Sequence, residues 1–61
     1  MNRYLVEYRY AGHLHSDMCH WGNIEVEAEN EDRALDIAVM DAKKKHGPGY
    51  CSFVGLEATL L

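Results

Sequence analysis

The sequence predicts a small α+β domain, a three-stranded antiparallel sheet with one helix packed on one face. Three observations support this fold class. Two segments in the first half of the chain place apolar residues at every second position, an amphipathic segment with helical spacing follows them, and a third alternating segment comes last. Because 61 residues supply only one small core, we expect residues 1–61 to form a single ββαβ domain.

The first two strands are predicted at residues 3–10 and 23–28. Both segments alternate apolar with polar side chains and contain aromatic or β-branched residues, which is typical of strands with one buried face. We expect them to pair as an antiparallel hairpin whose tip is residues 12–22. Most hairpin loops need only about 2–5 residues, so a tip of this length is either functional or formed by strands that extend past the sheet.

A helix is predicted to begin after Asn30 and to end before Gly47. Asn is a favoured N-cap, and the acidic first turn and the lysines at 43–45 in the last turn both complement the helix dipole. Gly47 suits the position after the last turn, and Pro48 prevents the helix from continuing. The face predicted to pack on the sheet consists of Ala34, Leu35, Ala38, Val39 and Ala42.

A third strand is predicted from Tyr50 onward. Because a strand–helix–strand crossover is right-handed and skips one position here, the third strand lies beside the first, which gives the sheet order 2-1-3. The alternate residues of this strand, Phe53 among them, then fall on the uncovered side of the sheet. The residues predicted to face the helix are Val54, Leu56, Ala58 and Leu60.

This topology brings the hairpin tip, the end of the helix and the start of the third strand to one end of the domain. Where the strands continue into the tip, His13 and His15 share a face about 6–7 Å apart, with Cys19 opposite His15. Imidazole and thiolate are the ligands that zinc prefers, and a closed structural site needs four of them. No CxxC pair is present. The candidate metal ligands are His13, His15 and Cys19, with His20, His46 or Cys51 as the fourth.

The uncovered side of the sheet is the candidate protein-binding surface. An open sheet face or a free strand edge allows a partner protein or a second copy of the chain to dock. Trp21 is expected to join this surface at the tip, and Trp and Arg are frequent at binding hot spots. Because so short a chain is marginally stable alone, a homodimer is also expected. The predicted binding residues are Leu5, Glu7, Arg9, Trp21, Glu25, Glu27, Phe53 and Glu57.

Charge and size bear on the remaining function classes. Ten acidic residues against six basic ones give a net charge of −4, and glutamates on the uncovered side would repel phosphate, so nucleic acid is not an expected partner. Neither Cys19 nor Cys51 lies in a recognisable catalytic context, and so short a chain has little room for a substrate pocket. No enzyme activity is therefore expected.

The chain is expected to be cytoplasmic. No signal peptide is visible before the first strand pattern, and no apolar run approaches the ~20 residues of a membrane span. The two cysteines are then expected to be free thiols in a reducing compartment.

The junction between the second strand and the helix carries a resemblance. Residues 26–35, Val-Glu-Ala-Glu-Asn-Glu-Asp-Arg-Ala-Leu, follow a strand that reads Tyr-x-Val-Glu-Tyr. This combination resembles small proteins encoded by bacteriophages and other mobile elements, and some anti-CRISPR inhibitors are similar in size and in the ββαβ plan. The resemblance implies a host-directed inhibitor or accessory protein that acts by binding in a bacterial cytoplasm. We therefore predict a protein-binding module, with a zinc-binding domain or a nucleic-acid accessory protein as the alternatives.

Overall fold

The chain folds as a three-stranded antiparallel sheet that is covered on one side by a helix. The computed structural model describes residues 1–12 and 18–61. The elements are β1 (Asn2–Gly12), β2 (His20–Ala28), α1 (Glu31–His46) and β3 (Tyr50–Leu60). The strand order is β2-β1-β3, and β1 pairs antiparallel with both neighbours. The predicted α+β class, the ββαβ order and the central position of the first strand are therefore confirmed.

Both ends of α1 are fixed by the caps that the sequence predicted. The side chain of Asn30 accepts a hydrogen bond from the Arg33 backbone N–H at 2.9 Å. Gly47 has a φ of 78°, a conformation that disfavours a side chain, and its N–H donates to the Lys43 carbonyl at 3.0 Å. The predicted limits of the helix are confirmed.

The core lies between α1 and the side of the sheet that faces it. Ala34, Ala38 and Ala42 are fully buried along one face of α1, and Leu35 packs at the edge of the core. Because an alanine side chain is a single methyl group, this stripe lets the helix backbone lie close to the sheet. The buried residues that the sheet contributes are Tyr4, Val6, Tyr8, Val26 and Ala28.

β3 contains a bulge that was not predicted. Glu7 of β1 lies opposite Glu57, whereas the next residue, Tyr8, lies opposite Gly55, so Leu56 is an extra residue on β3. Leu56 was predicted to face α1, and it is instead the bulged residue, with 44% of its side chain exposed. A one-residue insertion moves every residue on one side of it to the opposite face of the sheet. Residues 53–55, which directly precede Leu56, therefore have the reverse of the predicted orientation.

The predicted orientations of Phe53 and Val54 are wrong for this reason. Val54 lies opposite Arg9, so it belongs to the uncovered side of the sheet rather than to the helix side. Phe53 was predicted as a binding residue on the uncovered side, but it lies on the helix side, where its ring stacks on Tyr10. Gly55 takes an inward position, since a Cβ there would come within 3.1 Å of a side chain of α1.

After the bulge the predicted alternation of β3 is confirmed. Ala58 lies opposite Val6, and Leu60 lies opposite Tyr4. Directly opposed residues share a face, so both belong to the helix side, and Ala58 packs against the core. β3 therefore extends the sheet along most of the length of β1.

Candidate binding surfaces

The side of the sheet that α1 does not cover is hereafter the open face. Its β1 residues alternate with the buried ones, and the strand registers assign their neighbours on β2 and β3, because directly opposed residues share a face. Except for the half-buried Leu5, these residues are exposed. The open face comprises Arg3, Leu5, Glu7, Arg9, Trp21, Asn23, Glu25, Glu27, Val54, Glu57 and Thr59. Beyond it, the half-buried pair Ala11 and Cys51 continues the same side of the sheet toward the hairpin tip.

The open face gathers the predicted binding residues other than Phe53, and it also contains Arg3, Asn23, Val54 and Thr59. The loss of Phe53 and the gain of Val54 are two differences that result from the bulge at Leu56. A glycine inside a strand often marks such a bulge. Gly55 was therefore the signal in the sequence from which both differences could have been predicted.

Carboxylates dominate the charge of the open face. Glu7 on β1 has Glu57 directly opposite on β3, and β2 adds Glu25 and Glu27. Like charges placed directly opposite each other are unfavourable in a sheet. In the described part of the chain this face has one ion pair, between Arg3 Nη2 and Glu27 Oε1 at 3.8 Å, and both side chains are mostly exposed. The open face is therefore a solvated surface with a net negative charge.

Trp21 gives the open face a large apolar side chain near the hairpin tip. It lies opposite Arg9 and is 66% exposed. A shallow hollow of about 350 Å³ lies beside it, with Glu7, Gly22 and Asn23 also on its walls. An exposed aromatic ring beside a hollow and an arginine has the composition that protein-binding hot spots favour.

On the helix side of the same end, six rings form a group that we call the aromatic cluster. Tyr10 lies at its centre, stacked on His46 with ring centroids 4.0 Å apart and on His20 at 5.3 Å. Phe53 stacks on Tyr10 with ring centroids 5.6 Å apart, and the ring of Tyr50 meets that of Tyr10 edge-on at 5.1 Å. These contacts join both outer strands to the end of α1. The aromatic cluster comprises Tyr8, Tyr10, His20, His46, Tyr50 and Phe53.

A hydrogen bond joins Tyr8 and His46 at the buried side of the aromatic cluster. Tyr8 Oη lies 2.8 Å from His46 Nε2, and Tyr8 is only 1% exposed. Burial raises the pKa of the Tyr8 hydroxyl above its ordinary value of 10.0, and the neighbouring Tyr10 adds to the shift. The hydroxyl is therefore neutral at physiological pH, and its hydrogen bond fixes the end of α1 against β1.

Gly22 leaves the space that the Tyr8 side chain occupies. A Cβ at this position would lie 2.7 Å from Tyr8 Oη and 2.8 Å from Tyr8 Cζ. Because the Tyr8 ring is buried and hydrogen-bonded, it cannot move away without disturbing a closely packed interior. The backbone next to Trp21 therefore has no room for a side chain on the helix side.

Three of the four predicted metal ligands that the structure describes make other contacts. His20 and His46 lie at the hairpin end, as the topology predicted, but each ring stacks on Tyr10. Cys51 also lies at this end, where its thiol is 3.6 Å from a backbone carbonyl oxygen. Cys19 is exposed, and both cysteines are free thiols.

The zinc site stays a prediction. His13 and His15 lie outside the described residues. Within residues 1–12 and 18–61, no group of three or more His, Cys, Asp or Glu side chains is placed to hold a metal ion. The contacts that the structure does give for His20 and His46 include the stacked arrangements of their rings on Tyr10.

Comparison with known proteins found no matching family model, no matching curated protein and no matching solved structure. Among the elements in the described ranges, no helix combines the length and the hydropathy needed to cross a membrane. The fold and its surfaces define a class of molecule: a small ββαβ domain with an acidic open face.

Proposed function

We propose that this chain is a small, non-enzymatic protein-binding module and that the open face is its binding surface. One observation carries the proposal: this face is uncovered, and the exposed ring of Trp21 lies near one end of a group of exposed carboxylates. Single apolar residues are common on protein surfaces. A tryptophan beside a hollow, with charged groups around it, is instead the arrangement that binding surfaces favour.

The charge of the open face indicates the chemistry of the partner. Its four glutamates outnumber Arg3 and Arg9, so a partner with basic side chains would make charge-complementary contacts. A second copy docked through the same face would bring the glutamates of both copies together, which is unfavourable. We therefore propose a different protein, with a basic surface and an apolar side chain that fits the hollow beside Trp21.

The resemblance to phage-encoded inhibitors extends the proposal to a class of target. A host complex that binds nucleic acid carries a basic surface, because it neutralises phosphates. An acidic module that occupies such a surface would block the nucleic acid. The proposed target is therefore a nucleic-acid-binding host complex, such as a defence complex, in the bacterial cytoplasm.

Charge reversal on the open face tests this proposal. Tagged wild-type chain, Glu25→Lys and Trp21→Ala serve as baits in bacterial lysate, and the retained proteins are quantified by mass spectrometry. The matched control is Asp36→Lys, which makes the same change of charge at an exposed position on α1. We expect a basic protein that the wild type and the control retain and that both open-face variants lose.

The stability of each bait is measured in parallel by urea unfolding. Surface substitutions of this kind change the free energy of unfolding by about 0.5 kcal/mol or less, so loss of the partner would not reflect loss of the fold. A basic partner that Glu25→Lys and Trp21→Ala retain as well as Asp36→Lys does would exclude the open face as the binding surface.

A further inference from the structure

We infer that a groove beside the C-terminal end of α1 binds a mononucleotide. This open groove, hereafter the lysine groove, has a volume of about 700 Å³. That volume lies within the range of about 300–1,000 Å³ that is typical of small-molecule sites. The groove shares only Cys51 with the uncovered side of the sheet, and neither Trp21 nor Glu25 lines it, so the inference does not depend on the proposed protein binding. Its walls are formed by Lys43, Lys44, Gly47, Pro48, Tyr50, Cys51, Ser52 and Phe53.

The charge of the lysine groove selects an anion. Among the described residues, Lys43 and Lys44 are the charged ones on its walls, and no carboxylate lies among them. By contrast, the hollow on the open face includes Glu7, and a third hollow on α1 is lined by both Arg33 and Asp36. A concentration of positive charge is notable in a chain whose net charge is −4.

The end of a helix carries a partial negative charge that opposes anion binding. Two features reduce this effect here. The Gly47 N–H donates to the Lys43 carbonyl, so one of the exposed carbonyl groups is already hydrogen-bonded. The last turn of α1 also carries Lys43, Lys44 and Lys45, whose full charges exceed the partial charge of the helix end.

Two aromatic rings on the groove walls are held in place by the aromatic cluster. Phe53 is nearly parallel to Tyr10, at an interplanar angle of 11°, whereas Tyr50 meets Tyr10 at 80°. The rings of Phe53 and Tyr50 therefore stand roughly at right angles to each other. A planar base can stack on one ring and meet the edge of the other, and rings that are already fixed lose little entropy on binding.

The backbone of β3 is distorted where it forms the groove. Ser52 and Phe53 together face the single residue Tyr10, between the pairs Arg9–Val54 and Ala11–Cys51, so this is a second bulge. Ser52 has a φ of 56°, a left-handed conformation that is unusual for a residue with a side chain. Bulges that re-aim side chains and strained backbone conformations are both frequent at binding sites. Here the distortion accompanies a Phe53 ring that lies on the groove wall.

The combination of cations and aromatic rings matches a ligand with one phosphate group and one planar base. Two lysines suit a single phosphate, whereas the acidic open face and the net charge would repel a long polyanion. A free mononucleotide is therefore the proposed ligand rather than a strand of nucleic acid.

Titration of the isotopically labelled chain with adenosine monophosphate, followed by amide chemical shifts, tests the inference. We expect shifts confined to residues 43–53 and a dissociation constant at least about tenfold lower than for adenosine or for inorganic phosphate alone, because only the nucleotide uses both parts of the groove. No shifts in this range at millimolar nucleotide, or equal affinity for phosphate alone, would overturn it.

Matched variants locate the site. Lys43→Gln/Lys44→Gln is expected to weaken nucleotide binding by about tenfold, whereas Lys45→Gln, an exposed neighbour that does not line the groove, changes it by less than about twofold. Tyr50→Leu removes one stacking surface at a partly exposed position and is expected to weaken binding by about fivefold or more. If Lys45→Gln and the double variant lose equal nucleotide affinity, the binding reflects only general charge attraction. That result would refute the groove as the nucleotide-binding site.

Two further titrations separate this site from its alternatives. Glu25→Lys on the open face is expected to leave the nucleotide affinity unchanged, so failure of either proposal can be recognised without the other. A pentathymidylate that binds more tightly than thymidine monophosphate and also shifts open-face residues would replace the mononucleotide with a nucleic-acid strand.

Discussion

The two faces of β1 differ in what they contact. Tyr4, Val6 and Tyr8 point toward α1 and are between 0% and 5% exposed. Glu7 and Arg9, which alternate with them along the same strand, lie on the open face and are exposed. A substitution on the helix side therefore changes packing that the fold needs, whereas one on the open face changes mainly what the surface can bind.

This comparison also separates two kinds of small residue. The alanines of α1 are small because the helix lies against the sheet, and their Cβ atoms are fully buried. Gly22 is small because a neighbouring ring fills its space from the helix side, even though the adjacent Trp21 is exposed on the open face. The helix side thus imposes strict limits on size, and the open face does not.

The largest effect is expected from Ala38→Leu on the helix side. Ala38 is fully buried, so a leucine would push α1 away from the sheet and lower the free energy of unfolding by about 2–3 kcal/mol. The control is Met40→Leu on the same helix, where the side chain is 60% exposed and a change within about 0.5 kcal/mol is expected. Urea unfolding followed by circular dichroism measures both, and equal stability of the two variants would contradict the described packing of α1.

A smaller effect is expected from Gly22→Ala, which adds a methyl group on the helix side of β2, against the buried Tyr8 ring. The methyl group would lie within 2.8 Å of two atoms of the Tyr8 side chain, and we expect a loss of about 1–2 kcal/mol. Gly49→Ala is the matched control, because a Cβ there would meet no atom of residues 1–12 or 18–61 within 4 Å. The same unfolding measurement compares the two, and a Gly22→Ala variant as stable as Gly49→Ala would show that the Tyr8 ring is not fixed.

The smallest effect is expected from Tyr8→Phe, which keeps the ring and removes one hydroxyl. The hydrogen bond to His46 is then lost, at a cost of about 1 kcal/mol near pH 7. Burial raises the pKa of Tyr8 in the folded chain above 10.0. The contribution of its hydroxyl to the free energy of unfolding is therefore fully present below pH 10. As the pH rises further, Tyr8 of the unfolded chain ionises first, so the wild type loses stability that the variant does not lose.

Unfolding curves at about pH 8 and about pH 11 measure this difference. The difference in the free energy of unfolding between the wild type and Tyr8→Phe should be smaller at the higher pH. If this difference in the free energy of unfolding is the same at both pH values, Tyr8 ionises equally readily in the folded and unfolded chains.

The sequence was sufficient to predict features that depend on neighbouring residues. The N-cap at Asn30, the lysine-rich last turn and Gly47 define α1 locally, and the structure confirms all three. The order of the strands also followed, because the handedness of the crossover leaves few arrangements.

The orientation of β3 could not be predicted by alternation alone. A bulge depends on how two strands pair, and residues that are distant in sequence determine that pairing. One extra residue at Leu56 moved Phe53 to the helix side and Val54 to the open face. The lysine groove was missed for a related reason, since its walls come from the end of α1 and from a second distortion of β3.

The position of β1 has a consequence for the order of folding. β1 comes first in the chain but lies in the middle of the sheet, and its pairing with β3 joins residues as distant as Tyr4 and Leu60. Closing so long a loop costs entropy before any of these contacts form, and contacts between distant residues slow folding. The β1–β2 hairpin can form early during synthesis, but one edge of β1 stays unpaired until β3 has left the ribosome. The nascent chain therefore exposes a strand edge that the finished domain covers.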